Sequence, residues 1–266
     1  MKVIVSRKGF DSGYGGIPSP ILPDGTMLSM PIPSPGDKVR YKDLVFNHDS
    51  YATILQQLKP NCKVISEECH LDPDIREEVT SRLENWRPAF GQIGAAQSHL
   101  RNQGVGIGDL FLFFGWFRPT IRIKGKLEYN SQEESFHAIY GYLQVGDVIT
   151  REEDVPEWLK THPHACHERW NKNNNAIYVA AESLSFNPNL PGAGCFRYTK
   201  EHKLSKNGCR RSVWALPDFF REIPITYNAN AWQEDGFHSA AKGQEFVFNA
   251  NDNVMTWLNQ DIFNRL

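Results

Sequence analysis

The run GDLFLFFGWFR at residues 108–118, followed after a polar gap by FHAIYGYLQVGDVI at 136–149, decides the architecture of this 266-residue chain. Consecutive apolar side chains from Asp109 to Phe117 leave no polar face, the pattern of a strand buried on both sides. A more polar strand follows at Thr120–Tyr129, and Phe136–Thr150 reads as a further strand pair. Outward from this centre, Val3–Val5, Cys62–Ile65, Ala176–Ala181 and Ser212–Ala215 read as short strands. Helices are expected on the flanks. Tyr51–Leu58 has helical periodicity behind Asp49 or Ser50 as N-cap. Pro73–Trp86 follows Asp72 as cap, with proline at the first helical position, and Arg87-Pro88 ends it. Ala95–Asn102 is stopped by Gly104. Glu153–Lys160 is a short helix, and Leu216–Phe220 begins another. Val254–Arg265 closes the chain with Trp257, Leu258, Ile262 and Phe263 turned inward. Strands dominate the middle without βαβ alternation. The fold class is therefore α+β, a mixed or mainly antiparallel central sheet with flanking helices, in one domain over 1–266. The rhythm of the two central strands also parallels the small barrels that read modified bases.

After Val3–Val5 the chain breaks into a loop, Ser6-Arg7-Lys8-Gly9-Phe10-Asp11-Ser12-Gly13-Tyr14-Gly15-Gly16, with cations, a carboxylate and a phenol among four glycines. Glycine lets backbone N–H groups approach a ligand closely. Pro18, Pro20, Pro23 and Asp24-Gly25 continue the loop as a stiff, ordered segment anchored by Ile17, Ile21, Leu22, Met27 and Leu28. No helix N-terminus follows the glycines, which excludes a dinucleotide or P-loop phosphate site. The loop reads as a rigid wall or lid. Asp11, Tyr14 and Arg7 are its candidate catalytic residues, the first two positioning substrate or shuttling protons, while Arg7 or Lys8 meets phosphate.

Net charge is −2 and the pI is near 6.5. A dedicated duplex-binding protein is usually basic, so overall neutrality weakens nonspecific DNA binding. It leaves room for a free nucleotide, or for a local stripe of Arg118, Arg122, Lys124 and Lys126 on one strand face. Five cysteines without paired spacing argue against a disulfide scaffold. Met1-Lys2 runs directly into the first strand, with no signal peptide, and Phe111–Phe117 is too short to span a bilayer. A cytoplasmic location without membrane contact is expected.

The sharpest chemical signal is His70-Leu71-Asp72-Pro73-Asp74. A histidine and an aspartate two residues apart on extended backbone project to one side, and a distal histidine would complete a two-histidine, one-carboxylate metal triad. Asp72 is equally a good helix cap. His162-Pro163-His164, followed by His167, is the densest histidine cluster; the proline keeps it extended, and neutral imidazole is the commonest metal ligand. Cys166 lies within it, which admits zinc. Thr161, Glu168 and Arg169 equally suit a polar surface loop. His238 is a further candidate ligand, whereas His99 and His137 read as structural. For substrate, Gln103 in the glycine-punctuated 102–109 loop can read a base edge. Trp116 and Arg118 share a strand face and can sandwich a base, and Tyr140 lies on the neighbouring strand. There is no Gly-x-Ser-x-Gly elbow. Cys69 and His70, adjacent on a strand, point oppositely and cannot pair. Cys195, among glycines, reads as structural.

Four segments carry a family resemblance: SRKGFDSGYGGIPSPILPDGTMLSMPIPSP at 6–35, CHLDPDI at 69–75, FGQIGAAQSHLRNQGVGIGDLFLFFGWFR at 90–118 and FHAIYGYLQVGDVI at 136–149. Together they resemble the nucleotide modification associated domain of the third type, a bacterial and phage family. The resemblance spans nearly the whole chain and implies a role in DNA base or nucleotide modification. It names no reaction. The combined expectation is a metal-dependent enzyme, with a divalent metal such as Fe(II), acting on a nucleotide or nucleic-acid base by oxidation or another modification. Zinc or manganese would point to hydrolysis or group transfer. Two alternatives stand beside it: a non-catalytic binder of modified bases, and a small-molecule metalloenzyme linked to nucleotides only by genomic association.

Overall fold

Val3, Ile4 and Val5 lose nearly all solvent contact inside a sheet of nine strands among the described residues, as a continuous apolar run requires. A computed structural model describes residues 1–171, 174–226, 230–239 and 245–264. The sheet strands are β1 (Lys2–Arg7), β2 (Ser19–Ile21), β3 (Ala89–Gln92), β4 (Leu110–Ile123), β5 (Lys126–Tyr129), β6 (Phe136–Ile149), β7 (Ala176–Ala180), β8 (Ala193–Cys195) and β9 (Glu245–Asn249). They run in the order β9-β1-β4-β6-β7-β3, with β2 and β5 also on β4 and β8 on β6. β1 and β2 are parallel to β4 and the other pairs antiparallel. Helices α1 (Tyr51–Leu58), α2 (Gly94–Asn102), α3 (His167–Trp170) and α4 (Asp252–Trp257) accompany the sheet, giving the expected α+β class. The described strands form an open path ending at β9 and β3, so the expected small base-reader barrel does not form.

The expected strand pair at Phe136–Thr150 is one bent strand, β6. Its register slips against β4 after Ile139 and against β7 after Val145. Bulges of this kind let a strand bend and change partners. At the second, a Cβ on Gly146 would lie 2.7 Å from Ala181 Cα, so glycine is what permits the approach.

Ser50 caps α1 by accepting the Thr53 N–H, as the periodicity predicts. Pro73–Trp86 is not a helix. Its one helical turn is Glu77–Val79, because its polar groups are engaged elsewhere. Asp74 exchanges backbone bonds with Ala89, and Arg82 grips the Asp74 carboxylate at 2.6 and 2.7 Å. Lys63–Ser66 is a 3₁₀ turn where a strand is predicted, and Glu153–Lys160 resolves into turns at Glu152–Asp154 and Glu157–Leu159. Asp218–Glu222 is likewise a 3₁₀ turn. α4 passes into a π turn at Leu258–Ile262 with Trp257, Leu258, Ile262 and Phe263 buried; Arg265 lies outside the described residues.

The N-terminal loop is ordered by its apolar anchors. Phe10, Ile17, Leu28 and Met30 pack with Tyr41, Tyr51 and Leu55 in a cluster separate from the sheet core. A third cluster joins Ala89, Ile149, Leu159, Ile177 and Val179. Among the described residues no helix is long and apolar enough to cross a membrane.

Candidate metal centre

Each apolar cluster anchors one wall of a polar site. Cys69, fully buried in the N-terminal cluster, lies in a strand at Glu68–His70 that pairs with Ile32–Pro33 and Val39–Arg40. Strand alternation turns His70 to the opposite side, and Asp72 follows two residues on. Ala89 and Phe90 belong to the third cluster and the main core, and Gly91 follows them on β3. His164 comes from a turn at Pro163–Ala165, which His162 caps by accepting the His164 N–H at Nδ1, 3.2 Å.

Nε2 of His70 and Nε2 of His164 stand 3.2 Å apart, and Asp72 Oδ2 lies 3.9 Å from the former. One ligand atom from each residue lies within 4.8 Å of the others. All three are nearly enclosed: His70 and Asp72 keep 9% of their surface exposed and His164 2%. The far nitrogens fix the tautomers. Asn175 donates from Nδ2 to the His164 carbonyl at 2.8 Å, which aims its Oδ1 at His164 Nδ1, 2.7 Å away, and makes that nitrogen the donor. His70 Nδ1 donates to Asp37 Oδ2 at 2.7 Å. In the neutral rings both Nε2 atoms therefore present lone pairs to each other. Two nitrogens about 2.1 Å from one ion, in tetrahedral or octahedral arrangement, stand roughly 3.0–3.4 Å apart. The observed spacing lies in that interval. Histidine ligands held from behind by a carboxylate and an amide are the usual outer support of a metal site.

The electrostatics agree. Burial holds the His164 imidazole down to about 3, so it is neutral at ordinary pH. Burial pushes the Asp72 carboxyl up, but the surrounding imidazoles outweigh it and hold it below the usual carboxylate range. Asp37 is held low in the same way, with burial opposed by His70, Ser34 and Arg169, whose guanidinium donates to it at 3.0 Å. His162 stands behind the group. With its Nδ1 accepting a backbone N–H, its Nε2 carries the proton and lies 3.4 Å from Asp72 Oδ1. That nitrogen has no hydrogen-bond partner among the described residues, so His162 flanks the carboxylate without fixing it. Gly91 donates its N–H to the same Oδ1 at 2.7 Å, so Asp72 is held in place by β3 and caps no helix.

The group opens onto a cleft of about 1690 Å³ that reaches the N-terminal loop, Arg118, His137 and the 209–212 segment. Of the loop residues, Tyr14 is 56% exposed at the cleft. Asp11 organises the turn: Oδ1 accepts the N–H groups of Gly13 and Tyr14, and Oδ2 takes Arg7 at 2.9 Å. Lys8 points to Glu245, 3.5 Å away, and lies over the Phe90 ring. Arg118 lines the cleft while donating to the carbonyls of Asn130 and Glu133. Arg122 donates to Gly125 and Asp49, and the expected basic stripe is not one strand face, because β4 ends at Ile123, Lys124 lies in the turn with φ +50° and Lys126 opens β5. Trp116 lies against Arg211, not Arg118.

Other candidates are not brought to this group. His238 pairs with Asp235 at 2.6 Å. Gln103 is exposed at the end of α2. Tyr140 is 3% exposed, faces Ser29 and lines a small cavity of about 30 Å³ behind Asp72. His164 is buried, which overturns the surface-loop reading for that part of the cluster, while His167 is exposed and pairs with Glu152. Sequence reasoning passed over Asp37, Gly91 and Asn175. The one local hint was Gly91, a glycine inside a strand pattern, which marks close approach. A Cβ there would fall 2.1 Å from His164 Cγ.

Fold and site thus define an α+β protein with a buried two-histidine, one-carboxylate group facing an open cleft. The family model for nucleotide modification associated domain 3 matches residues 2–249, and the chain belongs to that family. No curated protein and no solved structure matches it.

Proposed function

We propose that the protein is a metal-dependent enzyme that modifies a nucleotide or a nucleic-acid base, with a divalent ion held by His70, His164 and Asp72. The observation that carries this reading is the pair of facing Nε2 atoms, 3.2 Å apart, each on a ring whose Nδ1 is engaged. The family name supplies the nucleotide context. Two histidines and one carboxylate with open positions are the donor set of non-haem Fe(II) oxygenases, which favours iron and oxidation. A bound ion would supply Lewis acidity or, as iron, redox chemistry toward a substrate lying in the cleft. The chain's own residues do the rest. Asp37 and Asn175 hold the two rings in their ligating tautomers. Gly91 holds Asp72, with His162 beside it. The loop carrying Arg7, Asp11 and Tyr14 walls the cleft and positions substrate.

Elemental analysis of protein purified without added metal tests the reading. The wild type is expected to carry a stoichiometric ion, which His70→Ala and His164→Ala both lose. Wild-type protein that is metal-free, and that gains no thermal stability from Fe(II), Mn(II) or Zn(II), would refute it.

A further inference from the structure

Away from the histidines, the cleft contains a second constructed feature. Arg211 lies over the Trp116 indole, its guanidinium carbon 4.2 Å from the ring centroid, and donates to Ser12 Oγ of the N-terminal loop. Arg7, held by Asp11, comes close enough that its charge acts on Arg211. Arg210 is exposed at the same cleft. His137, the cross-strand partner of Trp116, also lines the cleft but adds no charge. It is held down to about 3 by burial and then by the charges of Arg7 and Arg211. Burial and the like charge of Arg7 push the Arg211 guanidinium down despite Asp11.

Arg7, Arg210 and Arg211 all line this one end of the cleft, and Arg211 is held there by the Trp116 ring and Ser12. The geometry is that of an anion clamp. An arginine flattened on an aromatic ring is pre-organised, and its planar fork matches phosphate oxygens in pairs.

We propose that Arg211 and Arg7, backed by Trp116 and Ser12, form a phosphate-binding subsite that anchors the substrate while its base or sugar reaches the histidine group. This rests on the metal-enzyme reading for what happens at the other end of the cleft, but not for the binding itself. It also separates two cations that looked equivalent in the sequence: Arg7 joins the clamp, whereas Lys8 is turned to Glu245.

The test is fluorescence anisotropy with a fluorescein-labelled single-stranded oligodeoxynucleotide, competed by a 5′-mononucleotide or by inorganic phosphate. Arg211→Ala is expected to weaken binding roughly 10- to 100-fold, the loss of a charged bidentate contact. It should also lower the salt slope by about one. Arg211→Lys, which keeps the charge without the fork, should recover part of the affinity, and its melting temperature controls for folding. A mononucleotide that competes as well as unlabelled strand assigns a free nucleotide; competition by strand alone assigns nucleic acid. Wild type stripped of metal by a chelator should keep the Arg211-dependent part of the oligonucleotide affinity, so the two readings fail separately. Wild type that binds neither probe, or Arg211→Ala and Arg211→Lys both within twofold of wild type, overturns the proposal.

Discussion

Replacing Gly91 by alanine adds one methyl group, and its consequences can be worked from the structure. The new Cβ would lie 2.1 Å from Cγ, 2.3 Å from Cδ2 and 2.6 Å from Cβ of His164. The imidazole cannot simply swing away. His164 is 2% exposed, and Asn175 holds both its Nδ1 and its carbonyl. Overpacking of this kind costs about 1–3 kcal/mol. For a chain of 266 residues that is roughly 2 °C of melting temperature per kcal/mol, so the metal-free variant should melt about 2–6 °C below wild type. The larger effect falls on the ligand. A histidine pushed off its axis loses metal affinity by about 10- to 100-fold. At a metal concentration about 100-fold above the wild-type Kd, wild type gains about 2.7 kcal/mol from binding, whereas the variant gains about 0.4–1.4 kcal/mol. Differential scanning fluorimetry with and without metal reads both numbers. The Asp72 contact survives, because alanine keeps the backbone N–H that donates to it. The variant therefore isolates His164. Gly106→Ala, where a Cβ meets nothing within 4 Å and φ is not positive, is the control and should change neither number. A Gly91→Ala protein with wild-type melting and a wild-type metal shift would show that His164 does not stand where metal binds.

Two further outcomes are expected. Asn175→Ala removes the amide that fixes the His164 tautomer, and should weaken metal binding about 10- to 100-fold without abolishing it, as measured by calorimetric titration; unchanged affinity would sink the tautomer argument. His137, which accepts from Trp214 Nε1 and faces Arg7 and Arg211, is held down to about 3, against about 6.5 in the unfolded chain. Below pH 6.5 the unfolded state therefore binds a proton that the native state refuses, and stability falls as pH falls, by about 1.6 kcal/mol between pH 6.5 and 5. His137→Asn keeps an acceptor for Trp214 and should flatten that acid limb; a melting profile against pH parallel to wild type would refute the assignment.

How far the site is legible in the sequence depends on whether a residue's role is local. His70 and Asp72 are legible because two-residue spacing on extended backbone puts them on one side, and they are 3.9 Å apart. His164 is legible as one member of a dense cluster, but nothing local separates it from His162. The separation comes from hydrogen bonding across 11 residues to Asn175, and across two residues between His164 N–H and His162 Nδ1. Asp37 reaches His70 across 33 residues and Gly91 reaches Asp72 across 19. No periodicity encodes such partners. The central strands are legible because β4 and β6 are apolar on both faces, and the bend in β6 is not, because Gly146 acts through the backbone of Ala181.

Asp72 shows why the expected helix at Pro73–Trp86 fails. An aspartate followed by proline is the start signal of a helix, and the same aspartate two residues after a histidine is half of a ligand pair. Sequence cannot rank the two, because a cap and a ligand both need an exposed carboxylate lone pair at that position. The fold decides it by supplying a competing donor. The Gly91 N–H takes Oδ1 at 2.7 Å, and the next carboxylate, Asp74, is claimed by Arg82. With both acidic groups engaged laterally, the first turn of a helix has no acceptor for its free N–H groups, and the chain stays extended against Ala89. The failure of the helix and the formation of the candidate metal group thus have one cause, the docking of β3 beside residues 70–74.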